Sequence, residues 1–75
     1  MKEVKITSVR TLGSEIRKSR KEQKLSQSEL ASLSDTGIRF ISELENGKDN
    51  IQFGKLLNVI KALGLNLTII NKWSD

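Results

Sequence analysis

The chain has 75 residues and a formal net charge of +4, and it contains no cysteine, histidine or tyrosine. This length allows a single domain over residues 1–75 with a modest core. The lack of cysteine excludes disulfides and thiolate metal sites, so we expect a cytoplasmic protein with no metal or cofactor. No carboxylate pair or Ser-Lys spacing suggests catalysis, and no apolar run approaches the ~20 residues that span a bilayer, so we expect neither an enzyme nor a membrane protein.

The first predicted helix covers about residues 8–23. Thr7 or Ser8 can cap it, and the preceding segment around Val4 and Ile6, where apolar and polar residues alternate, is either a short strand or irregular. Residues 10–25 contain six basic and two acidic side chains, whereas residues 26–46 contain one basic and four acidic ones. A basic first helix fits attraction to nucleic-acid phosphates, and a plain solvated face fits it nearly as well.

A second helix, residues 27–33, begins after a capping box. In this motif the Ser26 hydroxyl accepts from the Glu29 backbone N–H, and the Glu29 carboxylate accepts from the Ser26 N–H. Its apolar side is predicted to contain Leu30, Ala31 and Leu33.

A turn over residues 34–37 separates this helix from a third one, residues 38–46. Ser, Asp, Thr and Gly favour turns, and Gly47 can take the left-handed conformation that closes a helix C-terminus. The buried stripe of the third helix runs through Ile41, Leu44 and Glu45.

The inner face of the first helix presents Leu12 and Ile16 and, one turn later, Arg20. A guanidinium that points toward a core needs a carboxylate, because an unpaired buried charge costs several kcal/mol. Glu45 lies on the inner stripe of the third helix, so we predict a structural Arg20–Glu45 ion pair.

A fourth helix is predicted over residues 51–63, with Asn50 as its cap and Gly64 at its end. Apolar residues recur at helical spacing and are expected to close the core: Phe53, Leu56, Leu57, Ile60 and Leu63.

The pattern changes to alternation after Gly64 and predicts a β-strand over about residues 65–70. A lone strand leaves its backbone groups unpaired, so it must pair with the Val4 region, with its own copy in a second protomer, or with another protein. We favour pairing across a two-fold axis, which would bury Leu65, Leu67 and Ile69 in a homodimer.

Two blocks of sequence resemble the phage-repressor and Cro-like (Xre) helix-turn-helix family. They are Leu25-x-Gln27-x-Glu29-Leu30-Ala31 and Ile41-x-x-Leu44-Glu45-Asn46-Gly47-Lys48. The resemblance implies a mainly α domain of four to five helices, with the Arg20–Glu45 pair typical of the family. Lys24 and Asp35 stand where the family usually has glycine, and strain there is expected to cost on the order of 1 kcal/mol at Lys24 and less at Asp35.

The resemblance also implies DNA binding, with the third helix in the major groove. The residues expected to face bases are Gly37, Ile38, Arg39 and Ser42. Those expected to contact phosphate are Arg17, Lys18, Gln27, Ser28, Asn46 and Lys48. Arg39 is the strongest candidate, because its fork matches O6 and N7 of guanine, although it could equally lie on a phosphate. Gln27 and Ser28 could serve only as caps, and Glu43 suits DNA only by accepting from cytosine N4.

The C-terminal part, in which Ala62-Leu-Gly-Leu65 leads into the predicted strand, is similar to HipB-type antitoxins. That likeness implies a homodimer that binds a palindromic operator and a HipA-like kinase toxin. Trp73 is either an anchor for a partner or a cover for the paired strands. The alternatives are a protein-binding adaptor and a phage-type repressor with no toxin partner.

Overall fold

The computed structural model describes residues 2–73, and the protein is mainly helical, as predicted. Four helices are present in this part of the chain: α1 (Val9–Glu22), α2 (Gln27–Leu33), α3 (Ile38–Glu45) and α4 (Phe53–Ala62). None of them has the length and apolar character needed to cross a membrane.

Local capping interactions determine where the first two helices begin. At the start of α1, the Ser8 hydroxyl accepts from the Thr11 N–H at 3.1 Å, and the Thr11 hydroxyl accepts from the Ser8 N–H at 3.1 Å. At the start of α2, Ser26 Oγ accepts from the Glu29 N–H at 3.0 Å, and Glu29 Oε1 accepts from the Ser26 N–H at 2.8 Å. Each pair satisfies two N–H groups that the helix itself leaves unpaired.

The core lies where α3 packs against α1 and α2, and where α4 packs against α2. Its buried apolar residues are Ile16, Leu30, Ala31, Ile41, Leu44, Leu56, Val59, Ile60 and Leu63. Helices α1 and α3 approach so closely that a Cβ on Gly13 would lie 2.1 Å from the Leu44 carbonyl oxygen. Only glycine allows this contact, because any side chain at position 13 would push α1 away from α3.

Four turns of the described chain require backbone in the left-handed region, the last of them at Gly64 after α4, with φ 71°. Lys24 has φ 59° and Asp35 has φ 55°, at the two positions where a glycine was expected from the family pattern. Gly47 closes α3 with φ 78°, and a Cβ at this position would also lie 2.9 Å from Arg10 Cα. The α3 terminus therefore depends on glycine both for conformation and for space.

Two apolar residues predicted to lie inside are exposed. Leu33 is 63% exposed at the last residue of α2, and Phe53 is 59% exposed in the first turn of α4. Leu57 is only half-buried, whereas Val59 is fully buried, so the inner stripe of α4 is Leu56, Val59, Ile60 and Leu63.

The start of α4 also differs from the prediction. Gln52, and not Asn50, is the N-cap, and it makes no side-chain capping hydrogen bond. The helix consequently begins at Phe53, two residues later than expected.

The segment 65–70 is extended chain and not a β-strand in the described structure. Within residues 2–73, no backbone hydrogen bond connects residues 66–73 to another segment. The strand predicted here is therefore not seen in the single protomer, and the segment around Val4 is irregular, one of its two expected alternatives. Strand formation requires a partner backbone, and neither segment supplies one to the other.

Candidate nucleic-acid interface

A buried ion pair joins α1 to the end of α3. Arg20 Nε lies 2.6 Å from Glu45 Oε2, and Nη2 donates to Glu45 Oε1 at 3.0 Å. Arg20 Nη1 donates to the Leu25 carbonyl at 2.7 Å, which ties the α1–α2 turn to the same guanidinium. The hydrogen bond that Arg20 donates to Glu45 raises the pKa of Arg20 above its usual value despite burial. The pair thereby fixes α1, α2 and α3 relative to one another.

Gln27, predicted to contact phosphate, takes part in this network. Its Nε2 donates to Glu45 Oε1 at 3.2 Å, and the side chain is half-buried. This contact crosses from the start of α2 to the end of α3 and was not foreseen from the sequence. The next residue, Ser28, is exposed in the first turn of α2, where unpaired backbone N–H groups can bind an anion.

The outer face of α3 begins with three exposed residues. Gly37 is the N-cap of α3 and, because it has no side chain, makes no side-chain capping hydrogen bond. Ile38 is 54% exposed and the Arg39 side chain 88%, while Ser42, one turn further, is half-buried. Of the four proposed base-facing residues, Gly37, Ile38 and Arg39 are therefore exposed at the start of α3, whereas Ser42 lies in its second half and is partly covered.

Glu43 contacts two basic side chains, Lys48 and Arg39. Its Oε2 accepts from Lys48 Nζ at 2.9 Å and lies 3.5 Å from Arg39 Nε. The hydrogen bond from Lys48, with a smaller contribution from Arg39, holds the pKa of Glu43 below its ordinary value. Arg39 and Glu43 are four residues apart on one helix, a spacing that brings two side chains together. This spacing could have predicted the contact, but we did not predict it from the sequence.

The remaining phosphate candidates are exposed to solvent. Arg17 and Lys18 are exposed on α1, and Lys48 follows α3 with a half-exposed side chain. Asn46 is exposed, but its Nδ2 donates to the Ser42 carbonyl at 2.9 Å and so caps α3.

A cationic side chain that the sequence reasoning did not select lies beside the helix. Lys55 Nζ is 5.7 Å from the centre of the half-buried Phe40 ring, within range of a cation–π contact. No sequence signal marks it, because Phe40 and Lys55 are on different helices.

Comparisons with known proteins agree with this geometry. The family model described as helix-turn-helix matches residues 16–70. An uncharacterised HTH-type transcriptional regulator of Sinorhizobium fredii, y4mF, is 46% identical over 59 residues, which are 79% of this chain and 78% of that protein.

Two solved structures place the chain among DNA-binding regulators and not among enzymes. HipB in a HipA–HipB–O2–O3 complex is similar with a TM-score of 0.84 and 27% identity, covering 93% of this chain and 99% of that chain. The restriction-modification controller protein C.AhdI of Aeromonas hydrophila is similar with a TM-score of 0.70 and 28% identity, covering 77% of this chain and 84% of that chain.

Proposed function

This chain belongs to the helix-turn-helix family, and we propose that it is a dimeric, cytoplasmic repressor of the HipB type. In this proposal it binds a palindromic operator, represses its own operon as an antitoxin, and binds a HipA-like kinase toxin. The observation that carries the DNA-binding part is the outer face of α3, which presents exposed Ile38 and Arg39 on a helix fixed from behind by a buried ion pair.

Direct readout is assigned to the first turns of α3. Arg39 is 88% exposed in its side chain and can reach O6 and N7 of a guanine, a pattern that no other base pair presents in the major groove. Ile38 has exposed methyl groups suited to a thymine methyl. Gly37 and Ser42 complete the face, with Gly37 allowing close approach and the Ser42 hydroxyl able to donate or accept.

Phosphate contacts are assigned to the residues around this face. Ser28 and the α2 N-terminus can hold one phosphate, and the exposed cations Arg17, Lys18 and Lys48 can hold others. Gln27 and Asn46 each donate through the side-chain amide nitrogen to a group within the protein, so only the second N–H of each amide is available as a secondary contributor to phosphate binding. Phosphate contacts fix orientation and supply most of the salt dependence.

Dimerisation is assigned to the C-terminal segment. Leu67 is 45% exposed, Ile69 92% and Ile70 71%, and this stretch has no backbone partner within residues 2–73. Antiparallel pairing of two copies would satisfy the unpaired backbone groups and bury Leu65, Leu67 and Ile69 together. The resulting dimer would present two α3 helices to half-sites about one helical turn apart.

The toxin-binding part of the proposal is supported by the likeness to HipB over 93% of the chain. Trp73, 96% exposed, is a large aromatic side chain available to a partner. Aromatic residues of this kind supply a large share of the energy at protein interfaces. We assign Trp73 to the contact with the toxin.

The acidic character of residues 26–46 favours a protein-binding adaptor as the alternative, because carboxylates repel phosphate. Two of the four carboxylates are, however, paired with cations: Glu45 with Arg20, and Glu43 with Lys48 and Arg39. This pairing removes much of the repulsion and favours the regulator.

A salt titration of DNA binding separates the two functions. We expect the full chain to bind its own upstream DNA and to lose affinity steeply between 50 and 200 mM salt, by about a thousandfold if the dimer makes six or more phosphate contacts. An adaptor would show no such binding, while still forming its protein complex.

The dimer is tested by light scattering of the full chain and of a chain ending at Gly64. The full chain should have the mass of a dimer at micromolar concentration, and the shortened chain that of a folded monomer. A full-length monomer would contradict pairing of the C-terminal segments. Trp73→Ala should keep the dimer and its DNA binding but lose co-purification of the toxin from the native host.

A further inference from the structure

The carboxylate of Glu43 is shared by two cations that the proposed function assigns to DNA. Its Oε2 lies 2.9 Å from Lys48 Nζ and 3.5 Å from Arg39 Nε, while Arg39 and Lys48 remain 88% and 50% exposed in their side chains. Glu43 is half-buried, and an acid on a DNA-facing helix opposes binding to phosphate. Its two contacts with cations offset this repulsion in the free protein.

We propose that Glu43 is a specificity-determining residue, which positions Arg39 for base readout and penalises binding to duplexes that lack the matching base. This inference rests on the proposed DNA-binding function. It assigns to Glu43 a part in discrimination, and not in folding.

The positioning role follows from which guanidinium nitrogen meets the carboxylate. The closest approach to Glu43 is through Nε of Arg39, on the inner edge of the guanidinium. The terminal nitrogens at the opposite edge are those a guanine fork requires. Arg39 can therefore bind a guanine while it keeps its contact with Glu43, and the contact limits the number of conformations that the long side chain must give up on binding.

The penalty arises when no matching base is present. On a non-cognate duplex, Arg39 and Lys48 gain most by turning to phosphates, which separates both of them from Glu43. The carboxylate, which is ionised at neutral pH, then lies near the DNA backbone without a compensating cation. On the matching duplex only Lys48 must leave. The same carboxylate thus weakens non-specific binding more than specific binding.

The test compares Glu43→Gln with Glu22→Gln, which removes the same charge from an exposed position on α1. The probes are a duplex selected by the wild-type protein from a randomised library and a duplex of scrambled sequence with the same length and composition. Affinities for both are measured across a salt series, using the full chain.

For Glu43→Gln we expect the affinity for the scrambled duplex to rise, with a salt slope steeper by about one. The affinity for the selected duplex should rise less, so that the ratio of the two affinities falls by at least about threefold, the range that exposed ion pairs support. Glu22→Gln should leave this ratio unchanged. In an Arg39→Ala background, Glu43→Gln should change the ratio little, because the residue it positions is absent.

Equal changes on both duplexes, or the same change in ratio for Glu22→Gln, would overturn the proposal and leave the regulator assignment intact. A wild-type protein that selects no duplex at all would overturn both. Thermal unfolding of Glu43→Gln at pH 7 should stay within about 5 °C of the wild type, the small loss expected from an exposed ion pair, and a cooperative transition at a much lower temperature would assign Glu43 to folding instead.

Discussion

Helix α3 carries two glutamates, two residues apart, that differ in almost every respect. Glu45 is 9% exposed, and it accepts two short hydrogen bonds from Arg20 and a third from Gln27. Glu43 faces the solvent side of the same helix and holds Arg39 and Lys48 more loosely. A glutamate thus stabilises the packing of helices where water is excluded, and it can exchange its partners for a ligand where water has access.

The difference follows from the dielectric surroundings of each pair. A buried charge that loses its partner cannot recover hydration, whereas an exposed one exchanges its partner for water at small cost. The inner ion pair can hold three helices in place, and the outer one can be rearranged by a ligand. Four predictions follow from this contrast, in order of expected size.

Removing the inner carboxylate should have the largest effect. Glu45→Ala leaves the Arg20 guanidinium buried and unpaired, and we expect a loss of about 3 kcal/mol or more in the free energy of unfolding, measured by urea denaturation. Replacing both partners by apolar residues, Arg20→Met with Glu45→Leu, should recover most of this loss. A change of only a few tenths for Glu45→Ala would show that the pair is exposed, and the contrast would disappear.

Widening the gap between α1 and α3 should act on the same junction. Gly13→Ala introduces a Cβ that would lie 2.1 Å from the Leu44 carbonyl oxygen, and we expect destabilisation of about 1–3 kcal/mol by urea denaturation. Gly54→Ala is the matched control, since nothing lies within 4 Å of its Cβ position. It should be neutral or slightly stabilising. Equal effects of the two changes would remove the close approach as an explanation.

Truncating the outer cation should affect binding without affecting folding. Arg39→Ala should weaken binding to the selected duplex by about 1–3 kcal/mol per half-site and relax the preference for guanine at one position. Its urea midpoint should equal that of the wild type, because the side chain is 88% exposed. Unchanged affinity and base preference would show that Arg39 does not read a base.

The pH dependence of stability should show the smallest effect. The pKa of Glu43 is lowered by its Lys48 partner, and that of Glu29 by hydrogen bonds from Ser26. A lowered pKa in the folded state stabilises above the ordinary carboxylate value, and the contribution is lost as pH falls through the lowered value. Glu29→Gln and Glu43→Gln should therefore be less stable than wild type at pH 7, with the differences vanishing in acid. Differences that persist at pH 2 would contradict this origin.

Local signals in the sequence account well for α2 and the α3 terminus. The Ser26–Glu29 capping box and Gly47 each act within a few residues, so the sequence alone predicts where these helices begin and end. The start of α4 was harder to predict from the sequence, because Asn50 has the right chemistry for a cap and the helix nevertheless begins after Gln52.

Features that depend on tertiary placement were harder to predict. Burial of Val59 and exposure of Phe53 depend on where α4 meets the core, and the Gln27–Glu45 contact depends on how α2 and α3 cross. The need for glycine at position 13 depends on the distance between two helices. The expected C-terminal strand depends on a partner backbone, which no other segment of residues 2–73 supplies.

The central claim, that the outer face of α3 binds duplex DNA, is tested most directly by an NMR titration of the ¹⁵N-labelled full chain with the selected duplex. We predict the largest amide shifts at Ser28, at residues 37–42 and at Lys48, with small shifts around Leu33 and the C-terminal half of α4. Large shifts confined to those latter regions or to the C-terminal segment, with residues 37–42 unmoved, would contradict the account.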